Sequence, residues 1–212
     1  MRWPVDLKKL SPLLLHGSGA LDLAHEAAEF LLFQGARIVA VDGANAFDAY
    51  HLARAAQKRR RPAPSLLAAI RVSRAFTWQQ FEALLERETA AEAARAGARW
   101  ALVLGPLDLL ADQEVKPFQA WRAARRVANA LDALAATGLG VVVAQRPEPL
   151  RSGGREELIE FLHRACGHVV EVGRKDKDAN GVLAAAEPSA PRAIPLPDAR
   201  QLVLPFAPAS SL

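Results

Sequence analysis

Short apolar runs at 13–15, 38–41, 70–72, 101–104 and 141–144 punctuate this chain, and longer amphipathic stretches separate them. Runs without in-and-out alternation suit strands covered on both faces, as in a parallel sheet. Helical periodicity fills the intervals near 20–33, 47–57, 77–95 and 116–136. The third of these opens on Thr77, a good N-cap, and presents Trp78, Phe81 and Leu85 on one face. The alternation predicts an α/β fold: an open, mostly parallel sheet with helices on both faces.

Beyond the fifth run, a helix is expected near 154–165 and a strand at 168–172. Asp-Ala-Asn-Gly at 178–181 reads as a hairpin turn into 182–186, a C-terminal extension of the sheet. Pro188, Pro191, Pro195, Pro197, Pro205 and Pro208 exclude a helix or a central strand after that. The reading is one domain over 1–190 and a Pro-rich tail over 191–212. With 212 residues, 51% of them hydrophobic, the chain can bury a substantial core. No apolar run approaches the roughly 20 residues of a membrane span, and MRWPVDLKKL lacks the apolar stretch of a secretory signal. A cytoplasmic location and no membrane partner are therefore expected. The single Cys166 excludes an internal disulfide, and His163, Cys166 and His168 make only a fragment of a zinc ligand set. A net charge of +4 is a mild basic bias, compatible with a nucleic-acid partner.

The stretch LLLHGSGALDLAHEAAEFLL is a strand, a glycine turn and a helix, an arrangement whose amide groups and helix N-terminus can cradle phosphate. A working phosphate loop also needs a Lys for the terminal phosphates and a hydroxyl for magnesium. Counted from Gly17 those places fall on Leu23 and Ala24; counted from Gly19, on Ala20 and Leu21. VDGANAFDAYHLARAA at 41–56, followed by IRVSRAFTWQQFEALL at 70–85, resembles the RecA/RadA recombinase superfamily, in particular RadA-like ATPases and their paralogues. There an Asp, a short polar turn and a Phe follow the second strand, and Arg-Ala-Phe or Arg-Ala-Tyr follows the third. The resemblance covers about 12–190 and implies a RecA-like fold. It puts the position of the water-activating Glu on Ala44 and that of the magnesium-associated Asp on Gly105, with Asp108 the only nearby carboxylate. Phosphoryl transfer rests on positioning and charge neutralisation. With the Lys, hydroxyl, Glu and Asp all replaced, Gly17, Ser18, Gly19, Ala44 and Gly105 read as a degenerate nucleotide site with no cofactor and no ATPase activity. A plain tight turn and a residual nucleotide site both remain open.

Four segments are candidate binding surfaces. In AQRPEPLRSGGREE, 144–157, Gln145 matches a recombinase sensor Gln, and Arg146, Arg151 and Arg155 stand in what resembles a mobile DNA-contacting loop. Lys58, Arg59, Arg60 and Arg61 end a helix, where they complement its dipole and also offer charge to DNA. Arg122, Arg125 and Arg126 share a helical face. In the tail, QLVLPF resembles the peptide with which bacterial repair proteins dock on the sliding clamp. Gln201 would be the polar anchor, Leu202 and Leu204 apolar contacts, and Phe206 the pocket plug behind Pro205; a terminal edge strand is the alternative. The expectation is a catalytically inactive accessory protein of DNA repair or translesion synthesis, similar in architecture to ImuA-type proteins. Its expected partners are the clamp, DNA, and a RecA-like protein or repair polymerase. A divergent ATPase and a stand-alone DNA-binding module are the alternatives.

Overall fold

The computed structural model describes residues 7–173. The expected hairpin at 178–186 and the tail, with Gln201, Leu202, Leu204, Pro205 and Phe206, lie outside the described residues. Within them the chain folds as α/β: six parallel strands, β1 (Leu13–His16), β2 (Ile38–Asp42), β3 (Ile70–Arg74), β4 (Trp100–Leu104), β5 (Gly140–Gln145) and β6 (His168–Glu171), in the order β3-β2-β4-β5-β1-β6. All five apolar runs are strands, and four of them extend into a polar residue at the C-terminal end: His16, Asp42, Arg74 and Gln145.

The helices divide between the two faces as the connections require. Helices α1 (Ala20–Phe33), α2 (Ala49–Lys58) and α3 (Ala63–Leu67) cover one face, where Leu13, Leu15, Ala40, Leu104 and Ala144 meet Leu23, Leu52 and Leu66. The other face carries α4 (Trp78–Ala83), α5 (Thr89–Ala96), α6 (Pro117–Ala136), α7 (Glu148–Gly153) and α8 (Ile159–Ala165), where Leu14, Val41, Val103 and Val143 pack on Phe81, Leu85, Leu131 and Leu162. Alternate residues of one strand thus feed two cores, which is why these strands are apolar throughout. Among the described residues no helix is long and apolar enough to cross a membrane.

Two expectations need correction. The helix read over 77–95 is two helices joined by a π-helical segment, Leu84–Glu88. Its start is as expected: Thr77 accepts from Gln80 N, and Gln80 returns the bond to the Thr77 amide. Strand β3, read as buried, is an edge strand whose Arg71, Val72 and Arg74 are exposed, because no described strand lies beyond it and no helix covers it fully.

The end of α2 is unusual. Arg61 N donates to Ala56 O and Arg60 N to Gln57 O, a Schellman closure, and Arg60 occupies its left-handed position at φ +53°. Glycine normally holds that place, since a Cβ there costs about 1 kcal/mol. Arg60→Gly is expected to raise stability by about 1 kcal/mol in urea denaturation. A loss of stability would mean that the Arg60 side chain packs more than its backbone strains.

Candidate functional site

In an open α/β sheet, ligands bind at the C-terminal strand ends, where neighbouring strands send their helices to opposite faces. Here the order and the helix placement put such crevices between β1 and β5, between β2 and β4 and between β2 and β3. The glycine turn at 17–19 and Gln145 stand at the first, Ala44 and Gly105 at the second. The degenerate site read from the sequence is therefore gathered at the fold's ligand-binding rim.

Its interior is filled by protein. Gly17 N donates to Gln145 O at 3.1 Å, Gly19 N to Val172 O at 3.2 Å, and Ala20 N back to Gly17 O at 3.0 Å. Val172 lies just past β6, whose pairing with β1 is continued by its own amide donating to His16 O at 2.7 Å. Gly17 sits at φ +129°, and a Cβ there would collide with the Val172 carbonyl; one at Gly19 would collide with that of Gly173. Phosphate cradling needs free amides and room for the anion. The end of β6 takes up the Gly19 amide and packs closely on Gly17 and Gly19, with Ser18 between them exposed.

The second crevice is closed in the same manner. Gly105, at φ +57°, packs so tightly on Ala44 that a Cβ would strike the Ala44 methyl and the Asp108 carboxyl. Asp108 is held in place: its Oδ1 accepts from Gln145 Nε2 at 2.7 Å, and its Oδ2 accepts from Arg146 Nε at 3.1 Å and pairs with Arg146 Nη2 at 3.0 Å. Gln145 Oε1 takes Leu107 N at 3.0 Å, so this residue bridges β5 to the segment after β4. Burial lifts the Asp108 carboxyl above the usual Asp range, and Gln145 and Arg146 only partly offset it.

The segments that carried the sequence resemblance meet each other. Asp42, fully buried, accepts from Ala46 N and Phe47 N, both at 3.0 Å, and pairs with Arg74 Nη2 at 3.0 Å; its carbonyl takes Ala75 N. The Asp, the turn and the Arg-Ala pair form one brace between β2 and β3. His25 was not singled out by its sequence, yet it is buried, with Nδ1 2.7 Å from Leu21 O and Nε2 accepting Asp48 N at 3.0 Å. That geometry fits the neutral ring protonated on Nδ1.

Of the candidate DNA-contacting arginines, Arg155 is withdrawn. It is 8% exposed, and its guanidinium donates to Leu110 O and Val115 O, so it ties two loops together instead of reaching solvent. The surrounding loop is not free either: α7 runs through it and ends at Gly154 in the left-handed region. Arg146 is half-exposed but paired with Asp108, and Arg151 is exposed. Arg126 bridges Glu82 and Glu86. Lys58, Arg59, Arg60 and Arg61 are all exposed, with Arg59 paired to Glu29 at 2.9 Å and stacked over Phe33 at 4.2 Å. Near β6, His16 and His163 meet edge to face at 5.5 Å, and the Cys166 thiol is pushed up to about 12 by burial. No group of three His, Cys, Asp or Glu among the described residues is placed to hold a metal.

Two outcomes follow. Arg155→Ala orphans two buried carbonyls and is expected to cost about 3 kcal/mol in denaturation, while Arg151→Ala costs about 0.5 kcal/mol or less. Equal effects would contradict the structural role of Arg155. A carboxyl whose folded pKa is raised stabilises the fold fully below its unfolded pKa, near about 4, and loses that contribution as pH rises through the folded value. Asp108→Asn is thus expected to gain stability relative to the parent as pH increases from about 4 towards neutrality. A difference that stays flat or moves the other way, read from denaturation at stepped pH, would contradict the raised value. In comparison with protein-family models and with curated proteins, the chain matches none.

Proposed function

We propose that this chain is a catalytically inactive, RecA-like accessory protein of DNA repair or translesion synthesis, a scaffold that docks on the bacterial sliding clamp through Gln201, Leu202, Leu204, Pro205 and Phe206. The observation that carries the non-catalytic half is the turn's engagement by its own chain: Gly19 N is bonded to Val172 O, and the main chain at Val172 and Gly173 packs against Gly17 and Gly19. The replacements at Ala44 and Gly105 support the same reading, since neither a methyl group nor a hydrogen can act as a base or hold magnesium. The clamp half rests on the tail's residue pattern.

A scaffold needs partner surfaces, and the open edge of β3 supports one. Its backbone edge is unpaired among the described strands, Val72 is exposed, and Phe76 beyond it is 71% exposed. An extended segment of a RecA-like protein, a repair polymerase or a second copy would add there as a further strand.

The reading makes paired expectations. Magnesium-ATP should leave the melting temperature of the intact chain unchanged, because a ligand raises stability only by binding the folded state. A bacterial clamp should bind the intact chain and lose most of its affinity for a chain ending at Ala199. An ATP-dependent rise in melting temperature would overturn the first half, and clamp binding that survives truncation would overturn the second.

A further inference from the structure

The outer surface of α2 and the turn that ends it form a strongly charged patch that takes no part in the rim. Asp48 caps the helix by accepting Tyr50 N at 2.8 Å, and Leu52, Ala55 and Ala56 point into the core. That leaves Tyr50, Arg54 and Lys58 at i, i+4 and i+8, one stripe rising about 6 Å per step along the exposed side. Arg59, Arg60 and Arg61 continue it around the Schellman turn.

Two features set this patch apart from an ordinary solvated helix. Tyr50 is 77% exposed, and the ring packs on no ring among the described residues. Arg60 holds a left-handed conformation that a glycine would adopt with less strain, so a positive charge stands there against the backbone's preference. Beside the stripe lies a cleft of about 270 Å³ between α1 and α2, lined by Glu29, His51, Arg54, Lys58 and Arg59. Its carboxylate orients the cations: Glu29 holds Arg59 at 2.9 Å and lies 3.4 Å from His51 Nε2, while Asp48 holds Arg54 at 3.1 Å. Arg54, Lys58, Arg59, Arg60 and Arg61 outnumber those two carboxylates, so the surface is positive, and the guanidinium groups of Arg54 and Arg59 are held in place.

We propose that this face binds single-stranded nucleic acid, with a base stacked on Tyr50 and the backbone phosphates met by Arg54, Lys58 and the 58–61 turn. Cations alone would suit any polyanion; an exposed aromatic ring within a basic stripe is what an unstacked base requires. A duplex keeps its bases stacked and offers Tyr50 no partner. The site does not rest on the clamp reading and is tested without a clamp.

The test is fluorescence anisotropy of labelled oligothymidine titrated with the full chain at several salt concentrations. Affinity should fall with salt, and Lys58→Ala should reduce the log–log slope by about 0.7, one phosphate contact. Tyr50→Ala should weaken binding on the order of tenfold with the slope unchanged, and Tyr50→Phe should restore it. Since Tyr50 is exposed, its replacement leaves the fold intact. Arg60→Gly should weaken binding while raising the melting temperature, a combination that misfolding cannot produce. Oligothymidine affinity indifferent to Tyr50→Ala would overturn the proposal. So would tighter binding to a duplex of the same length, or binding to phosphatidylserine vesicles with none to the oligonucleotide.

Discussion

The pairing of β6 with β1 is the contact on which the character of this molecule depends. Because β6 continues past Glu171, the Val172 amide reaches His16 O, and the Val172 carbonyl turns onto the Gly19 amide. A strand-to-helix turn that elsewhere would present its amides to an anion is here closed by its own chain. Gly17 is needed at that turn because no side chain fits beneath the carbonyl and φ lies in the left-handed region. The same economy appears across the rim: Gly105 against Ala44, and Gln145 against Leu107 and Asp108. A crevice that the topology makes available for a ligand is occupied by main chain and small side chains.

Two further exposed surfaces lie away from these turns. The face carrying α1, α2 and α3 ends in a basic, aromatic-bearing surface, and the β3 edge leaves backbone groups unpaired among the described strands. Asp42 supports them from inside: by bracing the β2 turn and Arg74, it fixes where α2 begins and where β3 ends.

Much of this architecture was legible in the sequence, and the reasons are physical. Strands covered on both faces must be apolar along their length, so β1, β2, β4 and β5 appeared as continuous runs, whereas the edge strand β3 carries Arg71 between Ile70 and Val72. Asp42 and Arg74 stood out through the resemblance of their segments, but their pairing spans 32 residues and has no local signal. The stripe of Tyr50, Arg54 and Lys58 has a period of four, but only the run at 58–61 stands out in the sequence as a charge cluster. Other features had no local signal. Arg155 follows two glycines and looks like a loop cation, yet its partners Leu110 and Val115 are 45 and 40 residues away. The π-helical segment between α4 and α5 keeps Phe81 and Leu85 on the buried side, so the apolar pattern runs through it unbroken. The closure of the 17–19 turn depends on a strand some 150 residues later, which no window of sequence contains.

The central claim, that the chain's own backbone fills the phosphate turn, is tested most directly by amide hydrogen exchange at Gly17 and Gly19, measured by NMR with and without magnesium-ATP. Both amides should exchange slowly, as hydrogen-bonded groups beside a central strand do, and nucleotide should not alter their rates or chemical shifts. Exchange as fast as an open loop, or protection that develops only when nucleotide is added, would contradict the account.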